Sequence, residues 1–351
     1  MHMSDALISP PVAVVMGGIS VALLIIAARK MKNNPTDNIA PLMGVMGAFI
    51  FAAQMINFTI PGTGSSGHIV GGILLASVLG PWAAFITLSS VLVIQAFFFA
   101  DGGLLALGCN VFNMAACSCL IAFPLIYKRI VSHAVSVSRI MSASILSCVI
   151  GLELGALFVT IQTELSGVTA LPIGKFLLFM LPIHLLIGIV EGVATAAVLI
   201  FIEKYKPELL IQNRIQTHQS HFPLKKSILI IALCALIIGG GFSWFASTRP
   251  DGLEWSIENL TGSTEPENDH KTKSSQFAEE LQKKSSFMPD YSFKENVGND
   301  PTGEQHEEWG KVNPATSLAG IAGGSIVLLF AFVLGMIFRH KSRKFKADSH
   351  K

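Results

Sequence analysis

The chain has 351 residues, 51% of them hydrophobic and only 14% charged, with a mean hydropathy of +0.57. Soluble domains carry about 25% charged residues, so this composition excludes an ordinary soluble domain and indicates an integral membrane protein, with the lipid bilayer as its constant partner. The formal net charge of +2 provides no polybasic surface, which excludes nucleic acid as a partner.

The chain opens "MHMSDALISP". A secretory leader places basic residues before its apolar stretch. Here Arg29, Lys30 and Lys32 follow the first apolar run, so the N-terminus is expected to be retained on the outer side. A spanning helix needs about 20 apolar residues. The candidates in chain order are Val12–Ala28, Ala40–Phe58, Trp82–Ala100, Leu104–Ile126, Ile140–Thr163, Phe176–Ile202, Ser227–Phe245 and Ser317–Phe338. Between the second and third lies "HIVGGILLASVLGP", His68–Pro81, too short to cross comfortably alone and interrupted by Gly71, Gly72 and Gly80. It reads as a short or broken helix, the form in which membrane proteins expose backbone around a site.

Basic clusters follow the first span (Arg29, Lys30, Lys32), the Leu104 span (Lys128, Arg129) and the Phe176 span (Lys204, Lys206). Others precede Ser227 (Lys225, Lys226) and end the chain (Arg339, Lys341, Arg343, Lys344). About nine crossings, His68–Pro81 included, put every cluster in the cytoplasm with the N-terminus outside and the C-terminus inside. Residues 247–315 are polar, with "GSTEPENDHKTKSS" and "NVGNDPTGEQHEEWG", and read as a small, largely irregular extracytoplasmic segment. The expected fold is therefore all-α: a bundle of about seven helices over residues 1–220, one of them short or broken, then a two-helix unit, 221–351, carrying the extracytoplasmic segment. Cys109, Cys117, Cys119, Cys148 and Cys234 all sit in apolar runs, where a thiol acts as a small hydrophobe, and no disulfide framework is expected.

His2 gives the N-terminus a chemistry. The Met1 amine, the His2 amide nitrogen and His2 Nδ1 can close on one cation through a five-membered and a six-membered ring, placing three nitrogens in a plane. A tetragonal nitrogen set suits Ni(II) or Cu(II), and one more nitrogen completes the square. Methionine trimming requires a small second residue, so Met1 is expected to persist. His68, behind the Gly/Ser-rich "IPGTGSSG" and on the same side of the membrane by the crossing count, is the candidate fourth ligand. The residues alone leave a second reading open, with His2 a solvated terminal residue and His68 a helix cap.

Intramembrane polar residues are costly and often functional. Asn110 and Asn113, three apart on one helix, share a face and either bond the inserted N-terminus or join helices. Gln54 and Asn57, near the outer end of the second span, allow the same pair of roles. His184 and Glu191, two turns apart on one face, read as supporting the metal ligands or coupling helices rather than as ligands themselves. In "RPDGLEW", Pro250, Asp251 and Gly252 read as turn chemistry, with weak metal capture by Asp251 and Glu254 as the alternative. His270 and His306 in the outer segment are further capture candidates, whereas His133, His218, His221, His340 and His350 fall on the cytoplasmic side. "VTALPIGKF" fails the glycine spacing of a phosphate-binding loop, and "HEEWG" lacks the second histidine of a zinc protease, so neither ATP hydrolysis nor other enzymatic chemistry is expected of the chain itself.

The motifs resemble a known family. "MHMSDALISP" is similar to "MHIPDGFLSP", the start of the membrane substrate-capture subunits of energy-coupling-factor nickel and cobalt importers. "GSSGHIVGG" around His68 resembles that family's "TSGHLLGG", and "GCNVFNMA" (Gly108–Ala115) and "LPIHLLIGIVEGVATAAV" (Leu181–Val198) resemble two more of its signatures. "RPDGLEW" (Arg249–Trp255), "MPDYSF" (Met288–Phe293) and the closing helix resemble the small two-helix partner subunit, fused here to the first unit. The resemblance implies metal ligation by Met1, His2 and His68, and a cargo of Ni(II) or Co(II) with no resident cofactor. It also implies work alongside a membrane coupling subunit and cytoplasmic ATPase subunits. Met3, Ser4, Ala6 and Leu7 depart from the family pattern without adding or removing a nitrogen ligand. The residues themselves also admit an ion-coupled secondary transporter, which wants ionisable residues deep in several helices where chiefly Glu191 is found, or a metal-sensing membrane protein without transport.

Overall fold

The computed structural model describes residues 1–33, 39–132, 135–211, 224–264, 272–293 and 312–348, with side chains as far as residue 338 in the last stretch. Helix α1 (Pro10–Asn33) starts on two prolines, whose missing N–H is no loss in a first turn, and ends on Lys30 and Lys32 near its negative pole. It is followed by α2 (Ile39–Gln54), α3 (Gly72–Leu79) and α4 (Pro81–Ile94), which continues in π winding through Gln95–Phe99. Helix α5 (Leu107–Val131) has π winding across Val111–Tyr127 and contains Pro124. Next come α6 (Val137–Ser166) and α7 (Ile173–Tyr205). The second unit comprises α8 (Leu224–Gly240), α9 (Gly252–Thr261), α10 (Lys273–Ser285) and α11 (Pro314–Asp348).

Every expected span has a helix in its place. Among the described residues six are long and apolar enough to cross a bilayer: α1, α4 with its π turn, α5, α6, α7 and α11. Helix α2 is shorter than the expected Ala40–Phe58, because the chain leaves it after Gln54 to pair Phe58–Thr59 antiparallel with Ser66–Gly67. Of its 16 residues 13 are buried, since it lies between α4 on one side and α8 and α11 of the second unit on the other.

The short helix is real and lies between its glycines. Gly71 (φ 77°) precedes it and Gly80 (φ 84°) ends it, so Leu79 hands over to Pro81 across one residue. Eight residues rise only about 12 Å. The segment nonetheless runs from the loop of His68 to Gly80, whose α-carbon abuts Ile211 beyond the far end of α7.

The polar segment 247–315 departs, in its described residues, from its expected irregularity. Residues 252–261 and 273–285 are helical. The local signals were caps rather than composition: Asp251 and Glu254 form a reciprocal capping box at α9, and the Thr272 side chain accepts from Ser275 N–H at α10. All described cysteines are unpaired thiols, buried except Cys234.

Helices α6 and α7 pack through small residues. A Cβ placed on Gly188 would lie 2.8 Å from the Val149 α-carbon, and one on Gly192 would meet the backbone of Ile145. Gly192→Val is therefore expected to lose about 1–3 kcal/mol to overpacking, read as a lower melting temperature in detergent. Gly18→Ala, on an α1 face with nothing within 4 Å, should leave it unchanged.

Candidate metal centre

The first five residues are folded into the protein. Met1 is 5% exposed and Met3 fully buried. Asn110, on α5, clamps the main chain of Met3 from both sides: Met3 N–H donates to its Oδ1 at 2.8 Å, and its Nδ2 donates to Met3 O at 3.1 Å. Gly103 N–H donates to the same carbonyl at 2.9 Å, and Asp5 Oδ1 accepts from Ala106 N–H at 3.0 Å. The terminus thus runs as an extended segment along the turn that joins α4 to α5. Gly102 (φ 82°) makes that approach possible, because a Cβ there would sit 2.9 Å from Asn110 Nδ2 and 3.3 Å from His2 Cβ. Asn113, one turn beyond Asn110, touches Met3 Sδ and exchanges two hydrogen bonds with Gln162 of α6.

The fold brings His2 and His68, 66 positions apart in the sequence, side by side by way of α1 and α2. Their rings stack with centroids 5.1 Å apart and planes 16° from parallel. His2 Nδ1 lies 3.0 Å from Asp101 Oδ1, and His68 Nδ1 lies 3.1 Å from Ile69 O. Among the described residues the Nε2 atoms of both rings are buried without a hydrogen-bond partner. So is Nε2 of His184, whose Nδ1 lies 2.7 Å from Met180 O within α7. Buried polar atoms are normally partnered, so three orphaned imidazole nitrogens in one region mark a place built for something else to bind.

The second unit completes the enclosure. The Met1 ammonium donates to Asp251 Oδ2 in a short ion pair. The other oxygen of Asp251 accepts from Leu253 and Glu254 N–H at 2.8 and 2.9 Å, and Glu254 Oε2 accepts from Asp251 N–H. The turn expected at Pro250-Asp-Gly is therefore a helix start, and one carboxylate serves both α9 and the chain's own terminus. Pro250 O accepts from Ser66 N–H at 2.8 Å, and Arg249 O accepts from Ser66 Oγ at 2.7 Å, so this loop lies against the strand leading to His68. A cavity of about 10 Å³ remains between Met1, His68, His184, Asp251 and Gly252. That is room for about one water-sized particle.

Other expected residues lie around this cage. Glu191 accepts from Val70 and Gly71 N–H, both at 2.9 Å, tying α7 to the loop directly after His68. Gln54 Nε2 donates to Val70 O at 2.9 Å and is itself braced by Gln95. Asn57 contributes its backbone carbonyl, which accepts from Ser247 N–H. His133, His218, His221, His270, His306 and His350, and the side chain of His340, lie outside the described residues. Sequence reasoning missed Asp101 and Tyr291, whose hydroxyl donates to Asp101 Oδ2 at 2.5 Å. The one available signal was "ADGG" at the end of a span, an acid beside two glycines.

The electrostatics suit a neutral-nitrogen site. Burial, with the Met1 ammonium and His2 next in effect, lowers the His68 pKa to about 3. His2 is lowered by burial too, against the pull of Asp101. Burial by itself raises the Asp251 carboxyl, but the Met1 ammonium beside it holds the net value below the usual range. Among the described residues no three His, Cys, Asp or Glu side chains converge as a metal site.

Comparison with known proteins bears on the same residues. Positions 2–209, more than half the chain, match the family model for the cobalt uptake substrate-specific transmembrane region. The chain belongs to this cobalt-uptake transmembrane family. Positions 225–340 match the PDGLE domain, so the cobalt-uptake unit and its PDGLE unit lie in one polypeptide. A protein of Archaeoglobus fulgidus, provisionally named a fused nickel transport protein NikMN, is 30% identical over 338 residues, covering 95% of this chain and 98% of its own. The fused nickel transport protein NikMN of Rhodobacter capsulatus is 29% identical, covering 74% and 77%. A crystal structure of a truncated transition metal transporter superposes with a TM-score of 0.52 at 34% identity, covering 58% of this chain and 99% of its own.

The depressed His68 value has a measurable sign. The unfolded chain takes up this proton near pH 6.5 and the folded chain near pH 3, so stability is full above pH 6.5 and falls as pH drops through that window. Melting temperature followed from pH 7 to pH 4 should decline in the wild type and decline less in His68→Gln, which has no proton to take up.

Proposed function

We propose that the chain is the metal-capturing membrane subunit of an ATP-driven nickel and cobalt importer. Ni(II) or Co(II) is held by the Met1 amine, the His2 amide nitrogen and Nδ1, and an imidazole nitrogen of His68. The observation that carries this reading is a buried terminal amine beside two adjacent imidazoles, in a protein where no side-chain cluster offers a metal site among the described residues. The names of fused relatives for nickel transport, and of the cobalt transport protein CbiM of Lachnoclostridium phytofermentans, 30% identical over 219 residues, support the choice of cargo.

The helix directions support entry from outside. The basic residues Arg29, Lys30, Lys32, Lys128, Arg129, Lys204 and Lys225 all lie at helix ends remote from Met1, His68 and Asp251. By the positive-inside rule those ends are cytoplasmic and the metal centre faces outward. In this reading separate ATPase subunits, joined through a membrane coupling subunit, supply the energy, in keeping with the failed glycine spacing of "VTALPIGKF". Glu191, the principal candidate for an ion-coupled alternative, has both oxygens engaged with the His68 loop, which favours a structural part in positioning the ligand.

Uptake of labelled nickel by cells carrying this chain tests the reading directly. Accumulation is expected only when the coupling and ATPase subunits are present, and equal uptake without them would overturn ATP-driven transport. The ligand assignment is tested separately by adding one residue before Met1, which moves the free amine out of the chelate and is expected to abolish tight Ni(II) binding. Closing the chelate displaces a proton from the amine and one from the amide. The logarithm of Ni(II) affinity should therefore fall by about two per pH unit between pH 8 and 5. A flat profile would count against both nitrogens.

A further inference from the structure

Two of the nitrogens assigned to the chelate are already held by carboxylates, the Met1 ammonium by Asp251 and His2 Nδ1 by Asp101. The two differ in what loading demands. An amine that gives its lone pair to a cation keeps two N–H bonds, so Met1 can remain on Asp251 throughout. An imidazole nitrogen has one in-plane position, filled by a proton or by a metal but not by both. Nδ1 of His2 stands 3.0 Å from Asp101 Oδ1 and cannot serve Asp101 and a cation together.

Asp101 is itself fixed from several sides. Its Oδ2 accepts from the Tyr291 hydroxyl at 2.5 Å and its N–H donates to Gln95 O at 3.1 Å. The Tyr291 ring stacks on Phe99, centroids 5.0 Å apart and planes 20° from parallel. Asp290 and Tyr291 take left-handed backbone conformations, φ 49° and 59°, which non-glycine residues hold only where their surroundings enforce it. Phe287 and Met288 N–H, just before this turn, both point to Phe98 O at 3.2 and 3.3 Å. The "MPDYSF" segment of the second unit is thus docked on the π-wound end of α4 with its hydroxyl aimed at the carboxylate that holds His2.

We propose that Asp101, oriented by Tyr291, is a positioning residue that holds the protonated His2 Nδ1 in the resting protein, so that loading exchanges Asp101 for the cation at Nδ1. The Nδ1 proton leaves to solvent and Nε2, bare at rest, takes one up, with no net proton from this ring. This rests on the chelate reading above. Asp251 keeps its nitrogen during loading and Asp101 releases its own. The second unit thereby governs how fast the ligand set closes while supplying no donor atom.

The test uses the purified full chain with an unextended N-terminus. Ni(II) is mixed in by stopped flow, and the visible absorption of a planar four-nitrogen Ni(II) centre is followed. Losing a charge-assisted hydrogen bond is worth about tenfold in an equilibrium. Asp101→Asn is expected to close the centre about tenfold faster. Tyr291→Phe, which removes one hydroxyl and no packing, should close it about two- to threefold faster, because only the orientation of the carboxylate is lost. The double variant should be no faster than Asp101→Asn, since Tyr291 acts through Asp101. The spectrum of the loaded centre should be the same in all four proteins. An unchanged or slower rate in Asp101→Asn, additive rates in the double variant, or an altered loaded spectrum would each overturn the proposal. A wild-type protein lacking the four-nitrogen spectrum would sink the chelate reading and this proposal together. A normal wild-type spectrum with unaltered variant rates sinks the role of Asp101 alone.

Discussion

The burial of the chain's own ammonium group against Asp251 is the constraint from which the rest of the site follows. A terminal charge taken out of water must be paired, and the partner here comes from residue 251, in the other unit of the polypeptide. Holding Met1 in that position requires its main chain to run inward, which Asn110 and Gly103 secure through Met3. Once Met3 is fixed, His2 has little choice but to lie beside His68. The pairing of the two imidazoles is in this sense a consequence of how the terminus is satisfied.

The surrounding scaffold transmits that order outward. Glu191 binds the two amides after His68, Gln54 binds the carbonyl between them, and Gln95 braces Gln54. These contacts link α7, α2 and the end of α4 to the loop carrying a single imidazole. Polar side chains inside a membrane protein are expensive to bury, and here they converge on three consecutive backbone groups. A loop held this way is rigid against small thermal displacement, yet a movement of α7 would be passed on to it through one carboxylate.

Much of this was legible in the sequence, and what was not has a common cause. The spans follow from apolar run length, and the short helix from Gly71 and Gly80. His2 and His68 were legible because chelate chemistry depends on covalent spacing at a terminus. Asn110 was legible because an amide three residues from Asn113 in an apolar run stands out. Asp101 and Tyr291 were not, since their pairing joins positions 190 apart across two units and neither run length nor periodicity encodes such a meeting. The helices α9 and α10 were obscured by polar composition, although Asp251–Glu254 and Thr272–Ser275 carried the capping pattern that starts them.

The loop of Arg249 and Pro250 meets the His68 strand through only a few hydrogen bonds, from Ser65 and Ser66. It is one of several junctions between the units, beside the packing of α8 and α11 on α2, the Met1–Asp251 pair and the docking of residues 288–293 on the end of α4. Within one polypeptide the encounter is intramolecular, and a tether sustains an effective local concentration in the millimolar range. Covalent fusion and this helix packing together mean that the few hydrogen bonds of the Arg249–Pro250 loop need only align it on the His68 strand and need not supply the affinity that brings the units together.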